Sequence, residues 1–357
     1  FMSETILITG GAGFVGSNLA ILLKKKHPDY SVIALDNLRR RGSELNLQRL
    51  KEHEIEFVHG DIRYREDLLF DDRDVSLIID CSAEPSVLAG YNSSSEYVIK
   101  TNFFGTVNCL ELAKGKNANF IYLSTSRVYP FKSLNKISFK EEETRFAIDD
   151  AQDISGVTCD GISEAFPLDG TRSLYGATKL SSELIIQEYV EMYDIKAVIN
   201  RCGVIAGPWQ MGKVDQGVFS FWMLHHYFKR DLNYIGFGGK GKQVRDLMHI
   251  NDLFDLVDLE IHNMSTCNGK IYNVGGGNNC CLSLLDTTRL CEELTDNKID
   301  IGSIENDREM DVRIYISDNS KVQRDMGWVV QKTPHDILYD IYVWICEHES
   351  LVEKAIL

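Results

Sequence analysis

Apolar residues first gather in a short unbroken run, Thr5–Thr9 (TILIT), which predicts a buried strand. From Phe14 to Lys26 they recur at helical spacing, and the stretch ends in three lysines, which predicts a helix with a solvated end. Further short apolar runs predict strands at Ser31–Asp36, Glu56–His59, Val75–Cys81 and Asn119–Ser124. Helical patterns fill the gaps at about 42–52 and 93–115. A long helix is expected at about 174–193, followed by strands at Ala197–Cys202 and Lys270–Val274. Strands alternating with helices imply right-handed crossovers and a parallel sheet covered on both faces. The fold class is therefore α/β, a Rossmann-type doubly wound parallel sheet. After Gly207-Pro208 the alternation breaks down into short pieces and turns such as Gly236–Gly241. That pattern predicts a smaller mixed α/β lobe woven from several segments. The polar stretch from Phe146 to Thr171 reads as one long loop.

Composition narrows the possibilities. The 357 residues carry 38 Lys+Arg against 53 Asp+Glu, a formal charge of −15. With 44% hydrophobic residues the chain can build a sizeable core, so disorder is excluded as its main state. The acidic balance argues against nucleic acid as a partner, since that needs a basic face. No apolar run approaches the roughly 18 residues of a membrane span. No leader peptide is legible, because Ile6–Ile8 runs straight into a glycine turn, and Phe1 ahead of Met2 reads as an added residue. Nine cysteines include no CxxC pair, and Cys280-Cys281 and His225-His226 are neighbours, so no metal site is expected. The cysteines suit reduced thiols in the cytoplasm.

The first chemistry lies between the first strand and helix. Gly10-Gly11-Ala12-Gly13-Phe14-Val15-Gly16 spaces three glycines as GxxGxxG. Gly10 permits the tight turn, Gly13 lets backbone N–H groups reach a pyrophosphate, and Gly16 lets the helix pack on the sheet. Asp36 stands 20 positions after Gly16 at the next strand end, where a carboxylate accepts from both ribose hydroxyls of an adenosine. The carboxylate disfavours a 2′-phosphate, so NAD is expected rather than NADP, although Arg39-Arg40-Arg41 follows closely. Asp61-Ile62, after the third strand, is placed to cap the adenine. On this basis residues 1–206 form an NAD-binding domain to which 245–277 returns. Residues 207–244 and 278–357 form the substrate lobe.

The second chemistry is Tyr175-Gly176-Ala177-Thr178-Lys179, a Tyr and a Lys on one helix face. An ammonium beside a phenol favours the phenolate, which makes Tyr175 a candidate base. Thr125 ends the fifth strand, where ligands bind in parallel sheets, and can hydrogen-bond a substrate hydroxyl beside that phenolate.

These residues together resemble the extended short-chain dehydrogenase/reductase family of nucleotide-sugar enzymes. The likeness runs through GGAGFVGSNL, DNL at 36–38, HGDIR at 59–63, TNFFGT at 101–106, STSRVY at 124–129, YGATK at 175–179, GKQVRDLMHINDL at 241–253 and YNVGGG at 272–277. Within the family the chain is similar to the CDP-paratose 2-epimerases, through DNLRRRGSELNLQRL at 36–50, Glu143-Thr144-Arg145 and VDQGVFSFW at 214–222. The resemblance implies NAD as cofactor, lined by Gly10, Gly13, Phe14, Val15, Gly16, Asp36, Asn37, Asp61, Ile62, Ala83, Asn102, Tyr175 and Lys179. It implies Thr125, Tyr175 and Lys179 as catalytic, and Gln216, Arg245 and Arg308 on the nucleotide-sugar side. The two arginines suit a pyrophosphate. A CDP-hexose epimerised at C2 is the expected substrate. The alternatives are 4-epimerisation or reduction of a UDP- or GDP-sugar, or a non-catalytic NAD-binding module. A homodimer or homotetramer is implied, docked through the helices near 93–115 and 174–193.

The chain also departs from the family. Related 4,6-dehydratases carry Asp-Glu directly after the catalytic Thr. Here Ser126 and Arg127 stand there, which disfavours dehydration. Val204 replaces the substrate-side Asn of many 4-epimerases, and Asp80-Cys81-Ser82-Ala83-Glu84 replaces a His/Ala-rich end to the fourth strand.

Overall fold

The central sheet has seven parallel strands. They are β1 (Thr5–Thr9), β2 (Ser31–Asp36), β3 (Glu56–His59), β4 (Leu77–Asp80), β5 (Asn119–Thr125), β6 (Ala197–Cys202) and β7 (Lys270–Val274). Their spatial order is β7-β6-β5-β4-β1-β2-β3. The computed structural model describes residues 4–212 and 216–356. Phe1, Met2 and Ser3, and Val214-Asp215 of the VDQGVFSFW stretch, lie outside the described residues.

Side chains alternate across each strand, so each strand feeds two cores. Ile6 and Ile8 face one core with helices α1 (Phe14–Lys26) and α4 (Ile250–His262). Leu7, Ile78, Phe120 and Tyr122 face the other, with α2 (Thr106–Lys116) and α3 (Leu174–Tyr193). Both faces are covered, as the near-continuous apolar strands require. The strand order reverses between β1 and β4, which opens a crevice at their carboxyl ends.

Four short strands make a second sheet: Val204–Ala206, Val244–His249, Cys281–Ser283 and Ile314–Tyr315. Leu232–Ile235 and Ile301–Ile304 pair as a parallel ribbon. Helices Val218–Tyr227, Leu284–Thr295 and Pro334–Glu347 pack with them in a third core that includes Phe219, Trp222 and Trp344. Val244–His249 thus belongs to the second sheet. The chain re-enters the main layers at α4, which packs on α1, and at β7.

Two expectations are corrected. The segment expected as one long loop holds a strand, Phe146–Ile148, paired antiparallel to Phe139–Glu141. It also holds a hairpin of Val157–Thr158 with Gly161–Ile162. Val157, Ile162 and Phe166 are buried against Val128, Tyr129 and Tyr315. Strands of two or three residues are too short for periodicity to reveal them. Gly161, at φ 124°, passes so close to Ile316 that a Cβ would lie 2.5 Å from its carbonyl oxygen. The helix expected at 93–115 is broken by a π turn over 100–105. The hydroxyls of Thr106 and Ser182 donate to the Asn102 carbonyl within it, at 3.2 and 2.8 Å. π turns of this kind cluster at functional sites, and this one borders the crevice.

Candidate active site

The crevice is a cavity of about 620 Å³. The glycine turn forms its floor: Gly10, Gly13, Phe14, Val15 and Gly16 all line it. Gly10 sits at φ 63°, and a Cβ on Gly16 would lie 2.3 Å from the Gly10 carbonyl oxygen. The turn therefore requires the absence of side chains, and it leaves backbone at the start of α1 facing the cavity. Asp36, Asn37, Asp61, Ile62 and Ala83 line the same space. The Asp36 carboxylate accepts from the N–H groups of Ala12 at 3.1 Å and Leu38 at 2.8 Å. Burial pushes its pKa up, and those N–H groups oppose the shift. Asp61 accepts from Asn37 at 2.8 Å and from Arg63. Burial pushes Asp61 up as well, but the bonds from Arg63 and Asn37 outweigh it and hold the carboxyl below its ordinary range.

Thr125, Tyr175 and Lys179 converge on the far side of the same cavity. Tyr175 is one residue into α3, whose start is capped by Ser173 accepting from the Gly176 N–H at 3.1 Å. Burial pushes the Tyr175 phenol up, while Thr125 and the Arg127 guanidinium pull it down. Lys179 is buried at 2% exposure, and its Nζ lies over the Tyr122 ring, 3.9 Å from the centroid. Burial lowers its pKa, and Asp80 leads the opposing charges.

A second cavity of about 390 Å³ opens beside the first, and Arg127, Val204, Gln216 and Gly217 line both. Arg245 and Arg308 line the second cavity with Phe219, Trp222 and Asn233. Arg245 donates to Asp311 at 2.7 Å, and burial pushes its pKa down to about 10. Gln216 accepts from Arg40, which also donates to the Met211 carbonyl at 3.3 Å. The arginine run after Asp36 thereby reaches across the cleft to a residue that lines both cavities.

Asn102 sits differently from the other candidates. It is fully buried behind the cavity wall, accepting from the Glu84 N–H at 2.7 Å and donating to the Glu84 carbonyl at 3.0 Å. Its neighbour Thr101 lines the cavity. Sequence reasoning passed over Arg40 as a bridge, and over a buried chain behind Thr125 and Tyr175. In that chain Ser124 and Arg201 donate to Glu183, and Arg201 donates to Tyr129. Only a parallel-strand register, Ser124 beside Arg201, brings these side chains together.

Among the described residues, His27, Asp258 and His262 have metal-ligand spacing, a grouping that neighbouring-residue motifs did not reveal. They sit at the end of α1 away from the cleft. Asp258 already accepts from His27 at 2.6 Å and pairs with the Lys26 ammonium at 2.9 Å. Lys26 and His27 on Asp258 thereby pin α1 to α4.

A glycine-floored crevice at the switch point, an acidic residue ending β2 and a Tyr-Lys pair facing them define a dinucleotide-dependent Rossmann enzyme. The chain belongs to the NAD dependent epimerase/dehydratase family, whose model matches residues 6–275, and it uses NAD. It is 31% identical over 352 residues to the CDP-paratose 2-epimerase of Salmonella typhi, covering 95% of this chain and 98% of that one. Among solved structures it is similar to the dTDP-glucose 4,6-dehydratase of Bacillus anthracis in complex with NAD. That match has a TM-score of 0.78, 25% identity and coverage of 99% and 100% of the two chains. The UDP-glucose 4-epimerase of Thermotoga maritima shares the fold, at a TM-score of 0.77, 23% identity and coverage of 97% and 100%. No helix among the described residues is long and apolar enough to cross a membrane.

Proposed function

We propose that the protein epimerises a nucleotide sugar, a CDP-hexose at C2, by transient oxidation to a keto sugar. The observation that carries this reading is the continuity of the two cavities. Thr125, Tyr175 and Lys179 face the glycine turn in the first, and Arg127 and Gln216 lead into a second holding Arg245 and Arg308. The similarity to a CDP-paratose 2-epimerase favours the base and the position.

Residues of the chain then divide the work. The glycine turn and the start of α1 hold the cofactor diphosphate, and Asp36 accepts from the adenosine ribose. NAD, when bound there, would supply the hydride acceptor and donor that the oxidation and its reversal need. The Tyr175 phenolate takes the proton of the sugar hydroxyl as the C–H bond breaks, and gives it back on return. Thr125 donates to the same oxygen and holds it in line. Lys179 favours the phenolate and bonds the nicotinamide ribose. Arg245 and Arg308 hold the substrate pyrophosphate in the second cavity, and the sugar reaches into the first beside Tyr175. Ser126 and Arg127 supply no carboxylic acid after Thr125, so elimination of water has no acid–base pair. Free thiols at all nine cysteines suit a reducing cytoplasm.

The test is a product assay by carbohydrate NMR. The purified protein, with its bound NAD and no added cofactor, is expected to convert CDP-paratose or CDP-glucose into the 2-epimer without taking deuterium from heavy water at C2. Formation of a 4-epimer from a UDP- or GDP-sugar instead would replace this reading. Absence of turnover with NAD retained would leave a binding module.

A further inference from the structure

Lys179 has to be charged to favour a phenolate, yet it lies almost wholly out of water. A buried ammonium without a nearby anion gives up its proton. The structure supplies a specific anion. Thr9, Asp80 and Tyr122 stand in register across β1, β4 and β5, Thr9 beside Asp80 and Asp80 beside Tyr122. Residues paired in this way project to the same face of a parallel sheet. Here that is the face covered by α2 and α3, and the Lys179 Nζ rests over the Tyr122 ring at 3.9 Å.

Asp80 is fully buried and fixed by three donors. Thr9 Oγ1 donates to Oδ1 at 2.7 Å, Thr106 Oγ1 to Oδ2 at 2.8 Å, and the Ser82 N–H to Oδ1 at 3.2 Å. These donors hold the carboxylate in one place on that face of the sheet. The remaining titratable groups around Lys179 do not replace it. Glu183, on the same helix, is already paired with Arg201 at 2.7 Å. Cys81 after β4 and Cys202 on β6 are thiols that burial pushes up, and Tyr122 and Tyr175 are phenols that burial pushes up.

We propose that Asp80 is a positioning residue for Lys179: its carboxylate is the fixed buried anion that keeps the ammonium charged and held in the cleft beside Tyr175. Asp80 lines neither cavity and acts through Lys179. The inference rests on the reading of Tyr175 and Lys179 as the proton-transfer pair.

The test follows Lys179 directly, through the 13Cε signals of the lysine-labelled full chain, assigned with Lys179→Arg and titrated from about pH 7 to about pH 11. In Asp80→Asn the Lys179 proton is expected to leave about one pH unit lower than in the parent, a roughly tenfold weaker hold. Linkage gives a reciprocal readout that does not need Asp80→Asn to fold. In Lys179→Met, the 13C carboxyl signal of Asp80 is expected to show proton uptake about one unit higher. An unchanged Lys179 titration in folded Asp80→Asn, or an unmoved Asp80 in Lys179→Met, overturns the proposal. Tyr175→Phe keeps the two readings apart: full turnover there would remove Tyr175 as the base, while the Lys179 titration would still decide the role of Asp80.

Discussion

Arg201 and Glu183 form an ion pair wholly inside the protein, Nη2 to Oε2 at 2.7 Å, one helical turn past Lys179. Ser124, the neighbour of Thr125, donates to the same carboxylate. One buried pair therefore ties helix α3, which carries Tyr175 and Lys179, to the strands β5 and β6. Removing a single partner leaves an uncompensated buried charge, so Glu183→Gln should cost about 3–5 kcal/mol in denaturant unfolding. Replacing both together, Glu183→Leu with Arg201→Met, should recover much of that loss while still lowering turnover, because α3 loses its tie to Ser124.

Asp36 is expected to set the choice of cofactor. Its carboxylate already accepts two backbone N–H bonds and lines the cavity at the end of β2. A hydrogen bond to a charged group contributes about 1.5–3 kcal/mol. Asp36→Ala should therefore weaken NAD+ about 10- to 100-fold in a fluorescence titration. NADP+ should lose less, so the preference between the two should shrink.

Tyr175, as the proposed base, and Arg127 should separate kinetically. Tyr175→Phe is expected to lower kcat by about 10²- to 10⁴-fold, the range of general base catalysis, with NAD content unchanged. Arg127 lines both cavities and donates to the Met310 carbonyl at 3.2 Å, while Met310 itself sits at φ 60°. Arg127→Gln should chiefly raise KM for the nucleotide sugar and leave NAD affinity as it is. A loss of NAD with an unchanged KM would place Arg127 on the cofactor side.

Most strands of the main sheet were legible because they are buried, nearly continuous apolar runs, whereas the edge strand Glu56–His59 is only half-buried. Ser31–Asp36, Ala197–Cys202, Lys270–Val274 and the helix 174–193 fall where the pattern predicts them. The glycine turn, Asp36 and the Tyr175–Lys179 pair were legible because turn geometry and helical spacing are local. What the pattern could not convey is contact between distant segments. Asp80 meets Thr106, Arg40 meets Gln216, and Arg201 meets Glu183 only once the sheet register is set. Asn102 shows the converse: a motif residue beside the cleft whose side chain is turned away from it by the π turn.

The helices expected to dock two copies leave apolar side chains outside. Leu184 on α3 is 56% exposed and Phe104, just ahead of α2, is 53% exposed. If a second copy covers them, Leu184→Glu should reduce the mass seen by light scattering to that of one chain. An unchanged mass would exclude this face from the interface.

Glu260 on α4 gives a prediction for pH. It is fully buried against β6, where Asn200 Nδ2 donates to Oε2 at 2.9 Å, and Oε1 and Asn200 Oδ1 have no partner among the described residues. Burial pushes its pKa from 4.5 to about 8, and the Asn200 bond opposes this only in part. Between those values the folded protein holds a proton that the unfolded chain has released. Unfolding free energy must then fall as pH rises through that window, by up to about 1.4 kcal/mol per unit, and level off above it. Asp246, which burial pushes up to about 6, adds to the decline in the same sense but only up to that pH. His225, His226 and His249, which burial pushes down, act in the opposite sense until the unfolded imidazoles have titrated, so the slope between about pH 7 and about pH 8 is assigned to Glu260. Glu260→Gln supplies a neutral group whose amide can donate to Asn200 Oδ1. It should flatten that slope and make the protein more stable than its parent at pH 8, as read from urea midpoints at the two pH values. An unchanged slope in the variant would mean that Glu260 does not carry the proton.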